Sequence, residues 1–168
     1  MKQVLLLLSS IMVCTIVLAQ STVQIAIEGA VEKPLIITAQ EVFSAPTKNL
    51  GTFKVTNHLG EFRKAYKNVK GVPILPFLQK VSITSPSPKQ LSEYYLVFKA
   101  SDNYTVIASW NEVFNTDLGS SFYIITHADG KSLQQEGESL LMIATKDKMT
   151  GRRHVKGLQS ITIKRYQP

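Results

Sequence analysis

The sequence has a single cysteine, Cys14, and a single tryptophan, Trp110, in 168 residues. Cys14 lies inside residues 1–19, which read as a secretory signal peptide. Lys2 gives the charged start, Val4 to Val17 is an apolar run, and Val17-Leu18-Ala19 is a small-residue cleavage pattern before Gln20. Val13 is bulkier than a lipoprotein processing site prefers, so a lipid on Cys14 is the lesser reading. Export with cleavage near Ala19 leaves a secreted or periplasmic chain, residues 20–168, without a thiol. Disulfides, zinc–thiolate clusters, a cysteine nucleophile and a thiolate metal ligand are then all excluded. Long hydrophobic runs are also lacking. The N-terminal one is too short for a membrane span, and residues 20–168 contain no transmembrane segment.

Charge of negative sign is scarce: 12 acidic residues face 19 basic ones, for a formal charge of +7. The basic residues are scattered lysines, doubled only at Arg63-Lys64, Arg152-Arg153 and Lys164-Arg165. Scattered lysines describe a solvated surface, and without a clustered footprint no nucleic-acid partner is expected. No phosphate loop, dinucleotide fingerprint, Gly-x-Ser-x-Gly elbow or His-x-x-x-His pair is present. His58, His127 and His154 are far apart, so spacing identifies no metal ligands, and convergence with Asp129 or Asp147 is the lesser possibility. Asn103-Tyr104-Thr105 matches a glycosylation acceptor, a pattern common by chance.

What is present is mostly strand signal. Val23, Ile25 and Ile27 alternate and stop at Gly29; Phe53 and Val55 alternate again; Ile161 and Ile163 close the chain. Tyr94 to Ala100 is a nearly continuous apolar run, expected to be a central strand covered on both faces. Phe122 to Thr126 and Leu140 to Thr145 read as two more buried strands, with Asp129-Gly130 as a tight turn between them. Thr38-Ala39-Gln40-Glu41 and Ser109-Trp110-Asn111-Glu112 are capping boxes that open short helices. Gly71-Val72-Pro73 reads as a turn into a third, with Pro76 in its first turn. Ser82 to Ser92 reads as an exposed loop. These elements predict an α+β, mainly-β mixed-sheet domain with a few short helices, forming a single domain over 20–168. The expected core includes Ile25, Ile27, Phe53, Val55, Leu78, Leu96, Phe98, Ile124, Ile143, Ile161 and Ile163.

One segment concentrates chemistry. Arg152, Arg153, His154 and Lys156 fall within five positions before the closing strand. If this stretch bends into that strand, Arg153 and Lys156 can hold an oxyanion in one cleft by charge-assisted bonds. The plainer reading is a solvated basic turn.

Four stretches together resemble the molybdopterin-binding domain of the sulfite oxidase family, in its small exported bacterial versions. Ile27-Glu28-Gly29-Ala30-Val31-Glu32-Lys33-Pro34-Leu35 is similar to the opening G-x-V-x-x-P strand pair, and Gly71-Val72-Pro73-Ile74 to the G-V-P-L turn. Tyr95 to Tyr104, ending Asp102-Asn103-Tyr104, is similar to the strand that ends D-G-Y. Arg153-His154-Val155-Lys156-Gly157-Leu158 running into Ile161 is similar to R-x-V-K-W-L-x-x-I. The resemblance implies the sulfite oxidase fold, with molybdopterin as the cofactor, its phosphate end held by Arg153 and Lys156. It also implies that His58, Asp102 and Tyr104 face the segment carrying His154 across one pocket. The residues themselves identify no cofactor.

The departures bear on function. Catalytic members place a cysteine on molybdenum in the loop that here reads Thr56-Asn57-His58-Leu59-Gly60, and Gly157 replaces the tryptophan of the last motif. The expectation is therefore an exported molybdopterin-oxidoreductase-like domain that does not oxidise sulfite. It would bind a small anionic ligand, a pterin or a partner protein through a basic cleft. The alternative is a genuine molybdopterin-dependent oxidoreductase with an atypical ligand such as His58. No catalytic residue is identified.

Overall fold

Alternation in this sequence builds two sheets that share a core. A computed structural model describes residues 23–85, 87–136 and 139–167. The expected signal peptide lies outside them. In chain order the elements are β1 (Gln24–Gly29), β2 (Leu35–Thr38), α1 (Ala39–Ser44), β3 (Lys48–Thr56), β4 (Phe62–Pro73), α2 (Leu75–Leu78), β5 (Tyr94–Ala100), β6 (Thr105–Ser109), α3 (Trp110–Phe114), β7 (Phe122–Ala128), β8 (Lys131–Ser132), β9 (Leu141–Ala144), β10 (Val155–Lys156) and β11 (Leu158–Arg165). The first sheet has the order β2-β1-β11-β5-β6 and the second β10-β9-β7-β4-β3, with β8 beside β7. The pairing of β1 with β11 is parallel and the other described strand pairs are antiparallel. The result is a β-rich mixed domain with few, short helices.

The eleven apolar residues expected in the core are all buried. They divide between two clusters. Ile25, Ile27, Leu78, Leu96, Phe98, Ile124, Ile161 and Ile163 lie in the core shared by the two sheets and the helices. Phe53, Val55 and Ile143 lie in a second cluster, with Val69, Tyr123 and Leu141. In β7, Phe122 and Ile124 belong to the first cluster while Tyr123 and Ile125 belong to the second. This is how a continuous apolar run should sit in a strand covered on both faces.

Both capping boxes form. Thr38 accepts from the Glu41 amide and Ser109 from the Glu112 amide, and each glutamate accepts in return from its cap's amide. Pro76 lies in the first turn of α2. Asp129 and Gly130 both have positive φ, at 54° and 81°, joining β7 to β8 in a two-residue hairpin.

Three local expectations are corrected. Gly71 and Val72 are not a turn but the end of the twelve-residue β4, where Gly71 pairs with Ile125 and lets Leu50 and Tyr123 approach closely. Strand β5 is internal to its sheet but covered on one face only. Leu96, Phe98 and Ala100 are buried, whereas Tyr95 and Val97 are half-buried and Lys99 is exposed. The loop after Ser82 contains a 3-10 helix at Pro88–Glu93.

Candidate functional site

The basic segment is fixed in place by the end of β3. A 3-10 turn at Thr150–Arg153 rests on that strand. The Thr56 amide donates to Thr150 Oγ1 at 3.0 Å, the Thr150 amide donates to Thr56 Oγ1 at 3.1 Å, and the Thr150 hydroxyl donates to the Lys54 carbonyl at 2.7 Å. Gly151 permits the approach, since a Cβ there would sit 2.1 Å from the Thr56 carbonyl oxygen. On the other side the Tyr104 hydroxyl donates to the Arg152 carbonyl at 2.7 Å, and the Ser101 amide to the Gly157 carbonyl at 2.9 Å. The turn carrying Asp102 and Tyr104 therefore meets the basic segment directly. The loop of His58 reaches it too, because Met149 lies against Gly60.

Arg153 and Lys156 are used differently. Arg153 is largely buried and its guanidinium is held internally, 3.0 Å from Glu112 Oε1 and 3.5 Å from Asp147 Oδ2, above the Phe122 ring. Its Nη1 is buried and makes no hydrogen bond. Burial opposes ionisation of Glu112, yet hydrogen bonds from Ser109 and Arg153 hold its carboxyl below the usual range. Asp147 is raised instead, because burial outweighs its longer contact with Arg153 and Glu112 adds to the shift. An arginine balanced by two carboxylates ties α3 to the 147–153 loop. Lys156 is exposed on β10.

His154 lies beside β4. Its Nε2 is 3.1 Å from the Tyr66 hydroxyl and the two rings stack with centroids 5.7 Å apart. Lys64 Nζ donates to the same hydroxyl and lies 4.1 Å from the Tyr66 ring centre. Burial first, then the charges of Lys64 and Lys156, push the imidazole down to about 4. At neutral pH this ring is uncharged. Of the other expected site residues, Asp102 accepts from the Tyr104 amide at 2.9 Å, and His58 is exposed in the β3–β4 turn.

Lys64, Tyr66 and Glu112 were not anticipated as site residues, and Asp147 was weighed only as a metal ligand beside a histidine. A signal for the first two exists in the sequence: Lys64 and Tyr66 are two apart in a strand, so they share a face. Nothing local indicates that this face meets His154, which follows 88 residues after Tyr66.

The residues present do not fit the metal end of a molybdopterin. Residues 20–168 offer no thiolate, and among the described residues no group of three or more His, Cys, Asp or Glu side chains is placed to hold a metal ion. At the phosphate end Lys156 is exposed, whereas Arg153 is engaged with Glu112 and Asp147. A broad depression of about 820 Å³ lies on the outer face of the first sheet and shares only Gly157 and Leu158 with the basic segment.

No protein-family model matches the chain, and no curated protein matches it. Among solved structures it is similar to the sulfane dehydrogenase SoxCD from Paracoccus pantotrophus, with a TM-score of 0.56 and 15% identity over 83% of this chain. The chain spans 37% of the length of that one. Likeness at this identity speaks to fold alone, and the fold is distantly sulfite-oxidase-like.

Proposed function

We propose that this protein is an exported, non-catalytic relative of molybdopterin oxidoreductases that binds a small anion at the Lys64–Tyr66–His154–Lys156 cluster. The observation that carries this reading is the convergence of Lys64 and His154 on one hydroxyl: Lys64 Nζ donates to the Tyr66 hydroxyl, and His154 Nε2 lies 3.1 Å from it with the two rings stacked. A half-buried imidazole is kept neutral by its burial and by two ammonium groups, and both charges that shift it are cations. A positive field of that kind at a partly desolvated place favours an anion. Lys64 and Lys156 supply charge, the Tyr66 hydroxyl is a further polar group, and the bound group would be a phosphate, a sulfate or the phosphate of a pterin. Arg153 has a positioning role, holding the turn from which His154 and Lys156 project. Without a thiolate the protein does not turn over sulfite.

The test is calorimetric titration with inorganic phosphate at low salt. Wild type should bind weakly and in a salt-dependent way, and Lys64→Gln with Lys156→Gln should weaken binding by about tenfold per ammonium lost. Arg153→Ala is the wrong variant for this purpose, since it leaves Glu112 and Asp147 without their partner. Identical isotherms for wild type and the double variant would refute the site.

A further inference from the structure

The end of the molecule formed by the β3–β4 turn and residues 148–152 exposes large apolar side chains. Leu59 is 66% exposed and Phe62 63%, with Met149 and Tyr104 also exposed. The turn that presents Leu59 is well tied. Asn57 Oδ1 accepts from the Leu59 and Glu61 amides at 2.9 and 3.0 Å, and Asn57 Nδ2 donates to Glu61 Oε2 at 2.7 Å. Met149 packs against Gly60, and the Arg152 amide donates to the Met149 carbonyl at 3.0 Å. Two chain segments thus meet at one end of the molecule, with Tyr104 joined to them through the Arg152 carbonyl.

The charges around this end are mainly positive. Arg63, Lys148 and Arg152 are exposed there. Of the nearby carboxylates, Glu61 is 3.8 Å from Arg63 and bound to Asn57, Asp102 caps the Tyr104 amide, and Asp147 is turned inward to Arg153. Apolar side chains on a tied turn flanked by the exposed cations Lys148 and Arg152 suit one kind of surface. A fluid, negatively charged interface can close around isolated wedges, whereas a protein partner would need a contiguous complementary patch of about 800 Å².

We propose that this end docks the protein on an anionic lipid bilayer, with Leu59 and Phe62 inserted between headgroups and Lys148 and Arg152 held near the lipid phosphates. This surface adjoins the anion cluster, since Phe62 precedes Lys64 by two residues in β4 and Arg152 precedes His154 by two, but it uses different side chains. Serine at positions 59 and 62 should leave phosphate binding unchanged, so the two proposals can fail independently.

Co-sedimentation of the processed protein with vesicles is the direct test, using phosphatidylcholine alone and phosphatidylcholine with added phosphatidylglycerol. Binding is expected only with phosphatidylglycerol and should fall with salt. Lys148→Gln and Arg152→Gln should each weaken it about fivefold. Leu59→Ser with Phe62→Ser should abolish it, and because both side chains are exposed the variant should keep the wild-type unfolding midpoint. Sedimentation with neither vesicle overturns the proposal. So does equal sedimentation of the double serine variant, which would reduce the effect to adsorption by net charge. Binding to an acidic protein without vesicle binding would assign this end to a protein partner and would also overturn it.

Discussion

His154 and Arg153 are neighbours in the chain, yet their environments set opposite electrostatic conditions. Arg153 is surrounded by carboxylates, whereas His154 is surrounded by ammonium groups. Its pKa, depressed from 6.5 to about 4, makes His154 a stability switch. As pH falls below the unfolded value, the unfolded chain takes up a proton that the folded imidazole refuses. Stability therefore drains between pH 6.5 and about 4 and levels off below. The loss should be on the order of 2 kcal/mol after allowance for solvent screening of a half-buried ring. Glu112, depressed in the fold, adds a loss in the acidic range, and Asp147, raised in the fold, works in the opposite sense. Comparison with His154→Gln isolates the histidine: urea unfolding of this variant should show a flatter pH profile. Superimposable profiles would mean that His154 titrates normally.

At the scale of elements, local chemistry and strand faces account for most of the architecture. The capping boxes at Thr38 and Ser109 start α1 and α3 because the side-chain oxygens satisfy amides that have no helical acceptor. The strand faces are set by alternation, and β5 and β6 offer a clean check. Phe98 is fully buried beside Phe122, while Ile107, opposite Val97, is 59% exposed. Phe98→Ala should cost about 3–5 kcal/mol in denaturant unfolding, and Ile107→Ala within about 0.5 kcal/mol. Equal costs would show that the faces are inverted. Gly157 matters at this scale as well. Its φ is +69°, a backbone conformation that a tryptophan would adopt only under strain, and a Cβ there would also displace the Ser101 hydroxyl, 2.7 Å away.

For the molecule as a whole, charge and targeting set the context. Among the described residues no helix is long and apolar enough to cross a membrane. If the N-terminal segment is a signal peptide, intact-mass analysis of the exported protein should show a chain that begins at Gln20. A species that starts at Met1 or carries lipid on Cys14 would contradict this. The same purified material, made in a host that synthesises molybdopterin, should not oxidise sulfite. Turnover accompanied by stoichiometric molybdenum would overturn the non-catalytic reading. Asn57→Cys or His58→Cys would then report whether a thiolate restored in that loop retains metal.

The sequence by itself determined the strand alternation, the capped helices, the identity of the core and the missing thiolate. Each depends on residue type and on neighbours a few positions away. It also pointed to the basic segment, and to Tyr104 and the His58 loop as its neighbours through family resemblance. Only the tertiary structure decided what that segment does with its charges. Arg153 meets Glu112 41 residues earlier in the chain, and His154 meets Tyr66 88 residues earlier. Which carboxylate neutralises a cation, and which cation keeps an imidazole neutral, are Coulombic and solvation effects acting over a few ångströms of space. Periodicity along the chain carries no record of those distances. They are set by how the strands of the second sheet and α3 come together in space.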